Sequence, residues 1–249
     1  LGRVHDGAEA VLAFQTARRA GFDNVNLDLM YGLPGDDLAG ALADLERATE
    51  LGPAHLSWYQ LTLEPNTAFH RRPPALPAED AVIEIEERGR SLLAAQGYGR
   101  YEVSAYAAPG RRCVHNLNYW QFGDYLGIGA GAHGKITLPG ERAIARRAKL
   151  RNPRTYMEQA GSAAAATLER IDAEQLTVEF MMNALRLADG VSAACYPERT
   201  GQPIDAIAAP VGDAVRRGWM SADAGVLKAT PAGLHVLNSL LALFVARSE

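Results

Sequence analysis

Hydrophobic positions in the first hundred residues switch between two periods. Over 8–20 the apolar side chains Val11, Leu12 and Phe14 recur at helical spacing, Arg18 and Arg19 take another face, and Gly21 closes the segment. Over 25–31 the period falls to two. Val25, Leu27 and Leu29 alternate with Asn26, Asp28 and Met30, which predicts a strand. The turn cluster Gly32-Leu33-Pro34-Gly35-Asp36 leads into a second helix, 38–51, with Leu38, Leu42, Leu45 and Leu51 as its apolar positions. A second strand is expected over 55–63. Strand, helix and strand in this order predict a parallel sheet with helical crossovers, open or barrel-shaped.

A proline-rich connection, 65–77, precedes a predicted helix over 77–95 and one strand over 98–106. Past 160 the pattern changes. Gly161-Ser162 and the alanines 163–166 look like a linker. Helices are then expected over 173–187 and 204–217, a small hairpin over 218–230 and a closing helix over 232–245. That order suggests a winged-helix-like α+β module, so two domains are expected, 1–160 and 161–249. The chain starts at Leu1, inside what looks like a continuing element, and a preceding N-terminal part is expected.

Composition narrows the function classes. The 249 residues are 48% hydrophobic, enough for a sizeable core. The net charge of -4 speaks against a sequence-blind nucleic-acid binder. No apolar run has the length of a membrane span and no signal peptide is visible, which reads as a cytoplasmic protein. The only cysteines, Cys113 and Cys195, are too few for a disulfide framework or for the thiolates of an iron–sulfur cluster.

Candidate chemistry concentrates in His115-Asn116-Leu117-Asn118-Tyr119-Trp120, followed by Phe122-Gly123-Asp124-Tyr125 and the glycine-rich 127–134. A neutral imidazole is a good axial ligand for heme iron, and rings can cover a porphyrin face. Arg111 and Arg112 suit propionates. A lone histidine is nevertheless more often structural, and zinc is disfavoured because no C-x-x-C or H-E-x-x-H pair occurs. Cys113 is either a thiolate ligand or an inert buried thiol. His133 sits among small residues that let a ligand approach or simply pack tightly. Asp28 shares a strand face with Asn26, opposite the leucines. Near a strand's C-terminal end its carboxylate suits the two hydroxyls of a ribose, or it caps a loop or pairs with an arginine. Gln60 and Thr62 share a face and either contact a base or sugar or are satisfied strand-end polar groups. The glycines of 32–35 fit no phosphate-loop spacing. The basic run 142–151 is a solvated strand face or meets an acidic partner.

Four stretches carry a resemblance. They are Asn26-Leu27-Asp28-Leu29-Met30-Tyr31-Gly32-Leu33-Pro34-Gly35, the segment from His55 to Thr67, Tyr101-Glu102-Val103-Ser104-Ala105-Tyr106, and the stretch from His115 to Lys135. In these the chain resembles the HemW family of heme chaperones, relatives of oxygen-independent coproporphyrinogen III oxidase in the radical SAM superfamily. The resemblance implies an α/β fold, the C-terminal part of a radical-SAM-type partial (β/α) barrel, followed by a module like the HemN C-terminal domain. It implies heme held by His115, Asn116, Tyr119 and Trp120 of the H-N-x-x-Y-W pattern, with His115 the candidate iron ligand. It also implies S-adenosylmethionine near Asp28, Thr62 and Leu63, and a 4Fe-4S cluster in the complete family protein. The family's C-x-x-x-C-x-x-C motif has no counterpart here. The implied function is heme transfer to an acceptor hemoprotein, with any membrane contact peripheral and through that acceptor, as a monomer or dimer. The alternative is a radical SAM coproporphyrinogen III dehydrogenase or oxidase. Gly127 to Gly134 is expected to be close-packed strand supporting the barrel.

Overall fold

The computed structural model describes residues 5–223 and 225–245. Leu1, on which the expectation of a preceding segment rests, lies outside the described residues. The chain divides into two compact units between Cys113 and Val114.

In the first unit, helix α1 (Gly7–Arg19) starts at a capping box, in which Asp6 and Glu9 each accept the other's backbone N–H. Strand β1 (Asn26–Tyr31), helix α2 (Leu38–Glu50, capped by Asp37) and strand β2 (His55–Gln60) follow the predicted order. A one-turn helix, α3 (Ala68–Arg71), interrupts the proline-rich connection, and α4 covers Glu79–Ala95. Leu27 and Leu29 turn inward onto a core of Leu45, Leu56, Trp58, Ile85 and Leu93, while Asn26 and Asp28 stay on the exposed face.

The expected single strand over 98–106 is instead a hairpin, β3 (Gly99–Glu102) and β4 (Ala105–Ala107). Side chains fold the chain back there. Arg100 donates to the Glu102 and Val103 carbonyls, and the Glu102 carboxylate accepts from the Ser104 N–H. The sheet order is β1-β2-β4-β3. β1 and β2 are parallel, as the βαβ pattern predicts, and β4 joins antiparallel to both neighbours.

The second unit opens with helix α5 (Val114–Trp120). An antiparallel sheet is built from β5 (His133–Leu138), β6 (Ala143–Lys149) and β7 (Ala166–Arg170), with α6 (Pro153–Glu158) between the last two. Residues 163–166 are therefore no linker. They form a 3-10 turn whose end enters β7, and β7 is hydrogen-bonded to β6 across the expected boundary at 160.

Helix α7 (Ala173–Ala184), strand β8 (Val191–Ser192), α8 (Cys195–Thr200), α9 (Ala208–Arg216) and β9 (Val226–Leu227) follow. The expected closing helix is two short ones, α10 (Pro231–His235) and α11 (Leu237–Ala242), broken at Val236. β9 pairs with β8, and Met220 bridges Ala229 as the expected hairpin requires. Phe122, Phe180 and Tyr196 meet edge to face in the core, with centroids 5.7 and 5.2 Å apart. No described helix is long and apolar enough to cross a membrane.

Candidate functional site

The H-N-x-x-Y-W residues all lie on α5, so their spacing becomes helical. His115 and Tyr119 stand four apart on one face, their rings edge to face at 4.7 Å. Asn116 and Trp120 share the adjacent face. His115 is exposed, and among the described residues neither of its ring nitrogens is hydrogen-bonded. Tyr119 leans on Tyr125 at 4.3 Å, and burial raises the Tyr125 pKa. The Arg186 guanidinium lies 4.5 Å from the centre of the Trp120 ring, whose buried Nε1 has no partner among the described residues.

The helix stops where Phe122 takes a left-handed φ of 56°. A phenylalanine seldom adopts that conformation, and burial holds it there. The same turn brings the Gly123 N–H to the Asn118 carbonyl at 2.7 Å, and a Cβ on Gly123 would collide with the Asn118 side chain. Asn118 Nδ2 donates to the Asp124 carbonyl at 2.9 Å. The Asp124 carboxylate accepts from Thr137 N–H at 2.8 Å and Thr137 Oγ1 at 2.9 Å. Lys135, buried, donates to the Phe122 carbonyl at 3.0 Å and lies 3.4 Å from Asp124 Oδ1. Burial lowers its pKa, and Asp124 opposes that shift. Lys135 and Asp124 thus tie the end of α5 to β5, a role that nothing in their local spacing signals.

Residues 127–132 are loop rather than strand, because Gly129 and Gly131 have positive φ. They support the three-stranded antiparallel sheet, not the barrel-like one. The close packing is real at one end: a Cβ on Gly127 would strike the His133 backbone. His133 itself is exposed at the start of β5, paired with Ala148. In the basic run, Arg146 finds an acidic partner within the chain, the buried Glu179 at 2.6 Å.

In the first unit Asp28 is mid-strand, opposite Ser57, rather than near the strand end. Its Oδ1 accepts from Asn26 Nδ2 at 2.8 Å. Asn26 Oδ1 accepts from His55 Nδ1 at 2.6 Å and from Ser57 Oγ at 3.2 Å, and His55 Nε2 accepts from Tyr101 Oη at 2.7 Å. Burial lowers the His55 pKa, against a smaller opposing pull from Asp28, and so favours the neutral ring that accepts at Nε2. His55 and Tyr101 are the polar residues that sequence reasoning did not single out. The Asn26↔His55 register exposes them, and register needs the tertiary pairing.

Thr62 and Leu63 lie past the end of β2. Thr62 donates to Glu64 at 2.8 Å and stands five residues beyond Ser57, about 16 Å of extended chain. Arg111 pairs with Asp23 at 3.6 Å, and Arg112 lies 5.8 Å from the centre of the Tyr101 ring. Cys113 and Cys195 are free thiols. Burial raises the Cys195 pKa while Arg199 lowers it.

The family model for the HemN C-terminal domain matches residues 171–236. The chain is 47% identical over 246 residues to a protein of Escherichia coli named heme chaperone HemW, covering 99% of this chain and 64% of that protein. It is 45% identical to the heme chaperone HemW of Haemophilus influenzae, covering 98% and 63%. The chain thus spans less than two thirds of the length of these relatives. It is also similar to the solved structure of the Escherichia coli radical SAM enzyme coproporphyrinogen III oxidase (HemN). The TM-score is 0.74 at 18% identity, over 97% of this chain and 59% of that one, a likeness of fold.

Proposed function

We propose that this chain, 45–47% identical over nearly its whole length to proteins named heme chaperone HemW, binds heme through α5 and passes it to an acceptor hemoprotein. One observation carries the reading: His115 is exposed, both ring nitrogens are unengaged among the described residues, and Tyr119 stands edge-on beside it. A neutral imidazole so presented suits an axial bond to heme iron. Large apolar side chains stay exposed in the same stretch of chain, Val114 at 79%, Leu126 at 80% and Ile128 at 89%. Such side chains suit a flat apolar cargo or the surface that receives it. Asn116 and Trp120 complete the contact set from the adjacent helix face.

The S-adenosylmethionine reading is a proposal of the same rank. Asp28 Oδ2 has no partner among the described residues and can accept from ribose hydroxyls, with Thr62 and Leu63 bordering the adenine. The 4Fe-4S cluster does not fit the residues present. Two cysteines cannot supply its ligands, and among the described residues no three His, Cys, Asp or Glu converge. The oxidase alternative is favoured by no side chain described above and rests on the likeness of fold.

A Soret titration of the parent against His115→Ala tests the heme reading. Loss of the axial ligand should weaken heme binding about tenfold or more, roughly 1.4 kcal/mol. Equal affinities would remove His115 as the ligand.

A further inference from the structure

The second unit carries a cleft of about 480 Å³ that lies outside α5, and its size suits a small organic ligand. Its walls come from the β5–β6 turn, the β7–α7 junction and the end of α8. The floor is apolar, made by the buried Ile144, Ile171 and Leu176. The rim is cationic. Arg170 is paired with Glu141 and is occupied. Among the described residues Arg142 has no side-chain partner and Arg199 has no carboxylate partner. Glu198 is the one acidic lining residue.

Arg142 stands out a second time. Its backbone is left-handed, φ 49° and ψ 41°, which an L side chain adopts at a cost and glycine does not. The tight turn after Glu141 would form more easily with glycine, so the arginine is explained by what its side chain does. Two cations above an apolar floor match one chemistry, an apolar body that ends in carboxylate. Guanidinium takes carboxylate through paired N–H donors, and the floor excludes water from the body.

We propose that this cleft binds an amphipathic organic carboxylate, with Arg142 and Arg199 on the carboxylate and Ile144, Ile171 and Leu176 under the apolar body. The site is separate from His115 and does not depend on the heme reading. The ligand's source is either the propionate edge of a tetrapyrrole or a free fatty acid.

The test uses two probes on the full chain: metal-free protoporphyrin IX, followed by its fluorescence, and laurate, followed by calorimetry. Without iron the porphyrin has no use for an imidazole ligand, so His115→Ala should leave its affinity unchanged. Either acid should bind, and the one that does identifies the source. Its neutral counterpart, the dimethyl ester or dodecanol, should bind at least about tenfold more weakly. Arg142→Gly should weaken the bound acid about tenfold without lowering the Tm, because glycine suits that φ. A loss of affinity there is therefore not unfolding. Arg199→Ala should act in the same direction, and added salt should weaken the bound acid. The proposal is overturned if neither acid binds at 1 mM-scale concentrations (about 1 mM, the −4.1 kcal/mol level), if acid and neutral counterpart bind equally, or if both arginine variants bind like the parent.

Discussion

Asp124 and Lys135 form an ion pair whose halves differ in burial, and that asymmetry sets the effect of removing each. The Lys135 side chain is 5% exposed and that of Asp124 is 45% exposed. In Asp124→Ala, two hydrogen bonds to Thr137 disappear and a buried ammonium loses its ion-pair partner. Hydrogen bonds to charged groups contribute about 1.5–3 kcal/mol each, and a half-exposed carboxylate belongs at the low end, so a loss of about 2–4 kcal/mol is expected. In Lys135→Met the Phe122 carbonyl loses its donor, but a desolvated charge also leaves and the Asp124 carboxylate rehydrates. That substitution should cost about 0–1.5 kcal/mol.

The double variant should be less destabilised than the sum of the two by about 1 kcal/mol, since no buried cation is then left alone. Urea unfolding at pH 7 measures all three. The Lys135 pKa is lowered in the folded state, mainly by burial, so folding is opposed while the residue is charged. The parent should therefore gain stability as pH rises through the folded-state pKa towards the ordinary lysine value, and Lys135→Met should lack that gain. A larger loss in Lys135→Met than in Asp124→Ala, or strict additivity in the cycle, would refute the reasoning.

Gly89 of α4 faces Trp58, and a Cβ there would collide with the indole ring. Gly89→Ala should gain about 1 kcal/mol of helix propensity but lose about 1–3 kcal/mol to overpacking, a net destabilisation seen as a lower urea midpoint; a raised midpoint would show that the indole yields freely. His55 has a lowered folded-state pKa, so its contribution to stability is complete above the ordinary histidine value of about 6.5 and is lost as pH falls through the folded value. Between pH 7 and 4.5 the parent should lose stability more steeply than His55→Gln, and parallel slopes would dismiss the neutral-imidazole chain. Reconstitution with iron and sulfide should leave this chain without a 4Fe-4S absorption spectrum, because Cys113 and Cys195 are its only thiols; a stable spectrum would contradict this.

Periodicity and turn chemistry placed α1, α2, α4 and the parallel pair β1–β2 within a few residues, because each depends on its own side chains and caps. The face of Asp28 and the concentration of ring side chains from His115 to Trp120 were legible for the same reason. Two features were not. The 98–106 hairpin turns on side-chain contacts around Glu102 that no alternation encodes. The alanines of 163–166 read as linker because small residues carry no pattern, yet β7 is recruited by hydrogen bonds to β6, a partner distant in sequence.

The candidate site divides along the same line. Sequence alone determined which residues could ligate iron or accept ribose hydroxyls, since that is a property of side-chain chemistry. Tertiary structure alone decided that the H-N-x-x-Y-W residues share a helix with His115 exposed, that a buried lysine secures that helix's end, and that Asn26 meets His55. Exposure and register depend on which distant segments pack together. The free energy deciding that belongs to the whole core, and no local stretch of the chain contains it.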